Sequence, residues 1–217
     1  MNSKDFEKFL KSKNVNSYYL NHYKNTSSDF MQEQTYLFHP MDVFNKLLKE
    51  RIIILSGEMD EISCEMYKAN LLYLESLDSK KDIKLYISSG GGSVYSGLGV
   101  LDTMEYIKPD VITINTGLAA SMAAVILCSG SKGKRKSLKR SRTMIHQPMA
   151  FGGYLQASDI EIDAKEINSL KRDLLQIISE KTSQKYDKVE KDSDRDYWMT
   201  AEEALKYGMI DEIITKK

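Results

Sequence analysis

The chain has 217 residues, enough for one well-packed domain with an appendage. Its 31 Lys and Arg balance 31 Asp and Glu, so no overall field draws it to nucleic acid or a membrane surface. Two cysteines in apolar surroundings, Cys64 and Cys128, read as buried thiols in a reduced compartment, which argues against a disulfide framework. No stretch approaches the length of a membrane-spanning helix, and the charged first residues do not read as a secretory signal, so a cytoplasmic protein is expected.

Residues 1–35 are polar, with few aliphatics, and read as a flexible or propeptide-like extension. Residues 36–217 are expected to form one domain. A helix is predicted over 41–48. A buried strand follows over 51–55, ended by Ser56 and Gly57. Residues 62–77 read as an amphipathic helix with Met66, Ala69, Leu72, Tyr73 and Leu77 on its apolar face. A strand over 82–87 runs into the sequence SSGGGS, and 95–107 again looks helical. After Pro109, residues 110–115 read as a strand. Strands alternating with helices through short links imply an α/β fold with parallel strands and crossover helices.

The third strand leads into TINTGLAASMAAVIL at 113–127, a strand, tight turn and helix with Ser121 at the turn. A hydroxyl there can attack a carbonyl while a nearby backbone N–H receives the developing oxyanion. The simpler reading is a helix-capping serine. The three glycines at 90–92 match neither a phosphate-binding loop nor a dinucleotide fingerprint. They suit a sharp turn, an oxyanion donor or an edge for an extended peptide.

Residues 132–142 are dense in Lys and Arg but contain no aromatic for base stacking, so a solvated loop balanced by acidic segments is expected. His146, just before Pro148, is the one histidine within the domain's ordered core and is a candidate base for Ser121. A flexible bridge is expected at 150–154 and a capping box from Ser158 to Glu161. A long helix then runs to Thr182, about 36 Å at 1.5 Å per residue. It is expected to project, with an apolar face that needs a partner. Asp192, Asp194 and Asp196 are three carboxylates that could orient a histidine, and spacing does not choose among them. A second capping box, Thr200 with Glu203, opens a short helix ended by Gly208, and 209–214 closes as a strand. No metal-binding motif occurs, so no metal is expected.

Taken together, GLAASMAA at 117–124, MIHQP at 144–148, DRD at 194–196 and MTAEEA at 199–204 resemble the ClpP family of self-compartmentalised serine proteases. The resemblance runs from about Leu47 to Thr215. It implies a crotonase-like spiral of βαβ units with a protruding handle helix. It also implies Ser121 as nucleophile, His146 as general base and Asp196 as the orienting acid, with the backbone N–H groups of Gly92 and Met122 as the oxyanion hole. The implied assembly is a homo-oligomer of two stacked heptameric rings. An AAA+ unfoldase of the Clp type would feed it unfolded protein and consume the ATP, leaving this subunit without a cofactor.

Three departures stand out. Gly90 occupies a position where many members carry proline, the segment after Pro148 is one residue longer than expected, and the N-terminal extension is long. The other readings are an acyl-CoA enzyme of the same fold, a ring subunit that only supports an active paralogue, and, more distantly, nucleic-acid binding through the basic loop.

Overall fold

The computed structural model describes residues 40–149 and 156–215. The expected extension at 1–35 and bridge at 150–154 lie outside them. Helix α1 (Pro40–Lys49) leads into β1 (Ile52–Met59), α2 (Glu61–Leu77), β2 (Ile83–Gly92), α3 (Val94–Tyr106) and β3 (Val111–Ala120). There follow α4 (Met122–Cys128), β4 (Lys136–Leu138), β5 (Arg142–Ile145), α5 (Ala157–Thr182), α6 (Tyr186–Asp192), β6 (Tyr197–Thr200), α7 (Ala201–Tyr207) and β7 (Glu212–Ile214).

The fold is α/β, built of successive βαβ units as the resemblance implies. One sheet runs β1-β2-β3-β4-β7, and β5 and β6 branch off β3. All pairings are parallel except β5 with β6. The inward residues of the first three strands, Leu55, Ile83, Leu85, Ile87 and Val111, are almost fully buried and form the core with α2, α3 and α4.

The branch in the sheet decides where chemistry can occur. Ile114 and Asn115 of β3 pair with β4, but Leu118, Ala119 and Ala120 pair with β5. Asn115, fully buried, fills the fork. Its amide donates to Arg142 O (2.8 Å), and its Oδ1 accepts from Gly117 N (3.1 Å). A buried amide is stable only when its polar atoms are paired, and the fork pairs them.

Several sequence expectations are corrected. β1 does not stop at Ser56 and Gly57 but continues to Met59 through a register shift, with Gly57 at φ 75°. β3 likewise runs past Gly117, five residues beyond the predicted end. Pairing with β2 keeps the Gly57 stretch of the edge strand β1 extended, and parallel neighbours on both sides, β2 and β5, do the same for β3 despite poor strand propensity. The closing strand is shorter than predicted, because Met209 and Ile210 are buried in the core and only 212–214 pair with β4.

α2 carries two apolar stripes. The core takes Cys64, Tyr67, Leu71 and Leu74, while Met66, Leu72, Tyr73 and Leu77, read as the apolar face from spacing, are 45–60% exposed. Its cap is a reciprocal box between Asp60 and Ser63, worth on the order of 1 kcal/mol.

α5 is unbroken over 26 residues, about 39 Å. Leu174, Leu175 and Ile178 bury its C-terminal half, whereas Ile160 and Ile162 near its start are exposed, so this end projects. Ser158 does not cap it; the helix begins at Ala157, after Gln156, two residues before that cap would start it. The Thr200–Glu203 box and the left-handed Gly208 do cap α7 as expected.

The basic segment is only partly solvated: Lys132, Lys139, Arg140 and Arg142 are exposed, but its middle is tied into the fold. Arg135 is 5% exposed and pairs with Asp211, Lys134 bridges Asp82 and Asp110, and Lys136 meets Glu212. Acidic partners thus neutralise these three cations, in keeping with the zero net charge.

Candidate active site

Ser121 is the single residue between β3 and α4. Its backbone stands at φ 55°, ψ −127°, outside the usual left-handed well, a conformation that costs a non-glycine residue on the order of 1–3 kcal/mol. The surroundings enforce it. Ser121 N donates to Met144 O on β5 (2.9 Å), and Ser121 O accepts the first helical bonds from Ala124 and Val125. The hydroxyl makes no capping bond, so the simple capping-serine reading does not hold. It lies instead 2.8 Å from His146 Nε2.

Strand register explains that distance. Ala120 pairs with Met144, so the residue after the end of β3 lies level with the end of β5, and His146 is next. On the other side of β5, Ile145 pairs with Tyr197. His146, one residue beyond Ile145, therefore meets Asp196, one residue before Tyr197, because the strands are antiparallel. Nδ1 of His146 lies 3.0 Å from Asp196 Oδ1. Three adjacent strand ends thus bring together residues 25 and 50 apart in sequence.

Of the other two carboxylates in that segment, Asp192 accepts from Lys188 and the Tyr207 hydroxyl instead. Asp194 offers its backbone carbonyl to Gln147. Of the three carboxylates, Asp196 is the one within hydrogen-bonding distance of His146. The His146 ring is 14% exposed and the Asp196 carboxylate 59%.

The glycine run passes beside this pair. A Cβ on Gly91, at φ 92°, would sit 2.8 Å from Ser121 Cβ and 2.9 Å from Met122 N. A Cβ on Gly92 would collide with the Met59 backbone. Only glycine allows β2 to thread between the end of β1 and the serine turn. Gly90 differs: a Cβ there would meet nothing within 4 Å, and its backbone is not left-handed. The position that departs from the family pattern is therefore not the one that touches Ser121. The run is held by Ser89, 2% exposed, whose hydroxyl donates to Gly57 O and accepts from Gly91 N at 3.0 Å. Sequence reasoning missed Ser89 and the separate roles of the three glycines.

Met122 N–H, first of its helix, has no partner within the helical ladder and lies beside Gly91. A cleft of about 660 Å³ runs along the glycine strand past Ser121, His146 and Met149. Next to it a small apolar recess of about 20 Å³, room for little more than a water, lies between Met122, Val125, Ile145 and Leu174. The site offers a hydroxyl against an imidazole, an anion behind the imidazole, and an extended open edge. That combination is chemically suited to acyl transfer on a peptide-like chain. Among the described residues no group of His, Cys, Asp and Glu is placed to hold a metal.

A model of the family described as "Clp protease" matches residues 33–217. The chain belongs to the Clp protease family. Proteolysis is therefore its function. Similarity to individual relatives is high and nearly end to end. An ATP-dependent Clp protease proteolytic subunit from Bacteroides fragilis is 53% identical over 199 residues, covering 92% of this chain and 93% of the relative. One from Porphyromonas gingivalis is 53% identical over 190 residues, covering 88% and 85%. A proteolytic subunit 2 from Parasynechococcus marenigrum is 52% identical over 176 residues, covering 81% and 89%.

Proposed function

We propose that the chain is the proteolytic subunit of an ATP-dependent Clp protease and acts as a serine endopeptidase through Ser121, His146 and Asp196. The observation that carries this is the continuous line from Ser121 Oγ to His146 (2.8 Å) to Asp196 (3.0 Å), with the serine hydroxyl released from capping.

His146 Nε2 takes the proton of Ser121 as Oγ bonds to the scissile carbonyl carbon. Asp196 accepts from Nδ1–H, fixes the tautomer and stabilises the imidazolium. The carbonyl oxygen becomes an oxyanion held by the N–H groups of Gly92 and Met122. His146 then protonates the leaving amine as the C–N bond breaks, and water repeats the sequence to release the acyl group from Ser121. An acyl-CoA enzyme would have no use for the His146–Asp196 pair.

The substrates are unfolded polypeptides lying along the glycine strand, which presents backbone for pairing. A homo-oligomer of two stacked heptameric rings would cover apolar surface that a lone chain leaves open. The second stripe of α2 and the exposed Ile160 and Ile162 on α5 support it. A Clp-type AAA+ unfoldase would supply substrate and use ATP, so the subunit needs no cofactor of its own. The setting is the bacterial cytoplasm, and none of the described helices is long and apolar enough to cross a membrane.

Hydrolysis of fluorogenic short peptides by wild type and Ser121→Ala, with particle mass from light scattering on the same samples, tests this. Activity in a large particle, abolished by the substitution, is the expected result. An unchanged rate in Ser121→Ala would overturn the reading.

A further inference from the structure

Asp196 presents a problem that the strand register solves only in part. Its carboxylate is 59% exposed, and among the described residues it accepts a hydrogen bond from His146 alone. Burial cannot orient a group that is so open to water, so the backbone that carries it must be held. On its C-terminal side that backbone enters β6, where Tyr197 pairs with Ile145. On its N-terminal side it is the short link 193–196 between α6 and β6.

Gln147, the residue after His146, grips that link twice. Its backbone N–H donates to Ser193 O at 2.7 Å, and its side-chain Nε2 donates to Asp194 O at 2.9 Å. A carbonyl can only accept, so the amide orientation is set by its partner. Ser193 is anchored independently: it is 1% exposed, and its N–H donates to Val189 O. Asp194 is exposed, and its carbonyl has otherwise only a 3.4 Å contact from the exposed Arg195 guanidinium. The Gln147 side chain is thus the strong tie on the Asp194 carbonyl, two residues before Asp196.

The arrangement is a bracket. The residue before His146 holds the residue after Asp196, and the residue after His146 holds those two and three before it. We propose that Gln147 is a positioning residue that keeps Asp196 opposite His146. This rests on the Ser121–His146–Asp196 reading above. The effect acts through Asp196, so it should vanish when Asp196 no longer works.

The test is a double-mutant cycle on the full chain, with Gln147→Met, which keeps length but loses the amide donors, Asp196→Asn, and both together. Gln147→Met should lower kcat for a short peptide about tenfold, as misplacing a reacting group does. KM, particle mass and the thermal unfolding midpoint should stay at their wild-type values. In the Asp196→Asn background the same change should alter kcat less than twofold. A wild-type kcat in Gln147→Met overturns the inference. So does an equal loss in both backgrounds, or a loss that appears only as a raised KM or lowered unfolding midpoint. If Asp196→Asn itself keeps wild-type kcat, the serine-protease reading of the acid falls, and the role of Gln147 falls with it.

Discussion

Ser121 and Asp196 stand two hydrogen bonds apart, yet they are held in opposite ways. The serine is wedged. Met144 takes its N–H, α4 takes its carbonyl, and Gly91 approaches so closely that no Cβ would fit. The aspartate is tethered, exposed and fixed through a strand end and a few bonds to a short link. The nucleophile's place is thus a property of the backbone and its close packing, whereas the acid's place depends on a few replaceable contacts. Damage on the serine side should strike fold and activity together, and damage on the aspartate side activity alone.

The largest expected effect is removal of the nucleophile itself. Ser121→Ala should lower kcat by about 10⁶, to background, while the particle remains intact by light scattering. Asp196→Asn should lower kcat by about 10⁴ with an unchanged unfolding midpoint, read in the same peptidase assay and in calorimetry. A large drop in stability there would contradict the tethered picture.

On the wedged side, Gly91→Ala should cost about 10² in kcat. Its new Cβ would also press within 2.7 Å of Ala120 O, lowering stability by about 1–3 kcal/mol in denaturant titration. Activity lost without stability would show that the wedge is looser than described.

Away from the site, Arg135 and Asp211 provide a control for stability without catalysis. Burial pushes the Asp211 carboxyl up, but its hydrogen bonds with Arg135 outweigh this and hold it below the usual carboxylate value. A depressed folded value stabilises the protein above the unfolded carboxylate pKa of about 3.9, and that contribution is lost as pH falls through the lower folded value. The unfolding midpoint should fall with acid in that window, and Asp211→Asn should flatten the fall. The same variant should cost about 3–5 kcal/mol at neutral pH, leaving Arg135 buried without its charged partner. The smallest effect belongs to Gly90→Ala, which should keep full activity and add about 0.4–1 kcal/mol of stability through the unfolded chain.

The order of strands and helices could be read from the sequence because hydrophobic runs and short links alternate plainly, and motif resemblance pointed to Ser121, His146 and Asp196. Strand lengths could not be read. Gly57, Gly90, Gly91 and Gly117 look like terminators, and only pairing with parallel neighbours keeps those stretches extended. On α2 both stripes have helical spacing, and composition does not say which one meets the core. Arg135 looked like part of a solvated charge run because its partner, Asp211, is 76 residues away. Gln147 carried one faint signal, its place between His146 and Pro148. The bonds that give it meaning depend on a register no spacing reveals.

The central claim is that Ser121 is an activated nucleophile because His146 stands against it. Reaction of the pure protein with a fluorophosphonate, followed by mass spectrometry of its peptides, addresses this most directly. One adduct per chain on Ser121, formed far more slowly in His146→Ala, is the predicted result. An adduct on another residue, or labelling of His146→Ala at the wild-type rate, would contradict it.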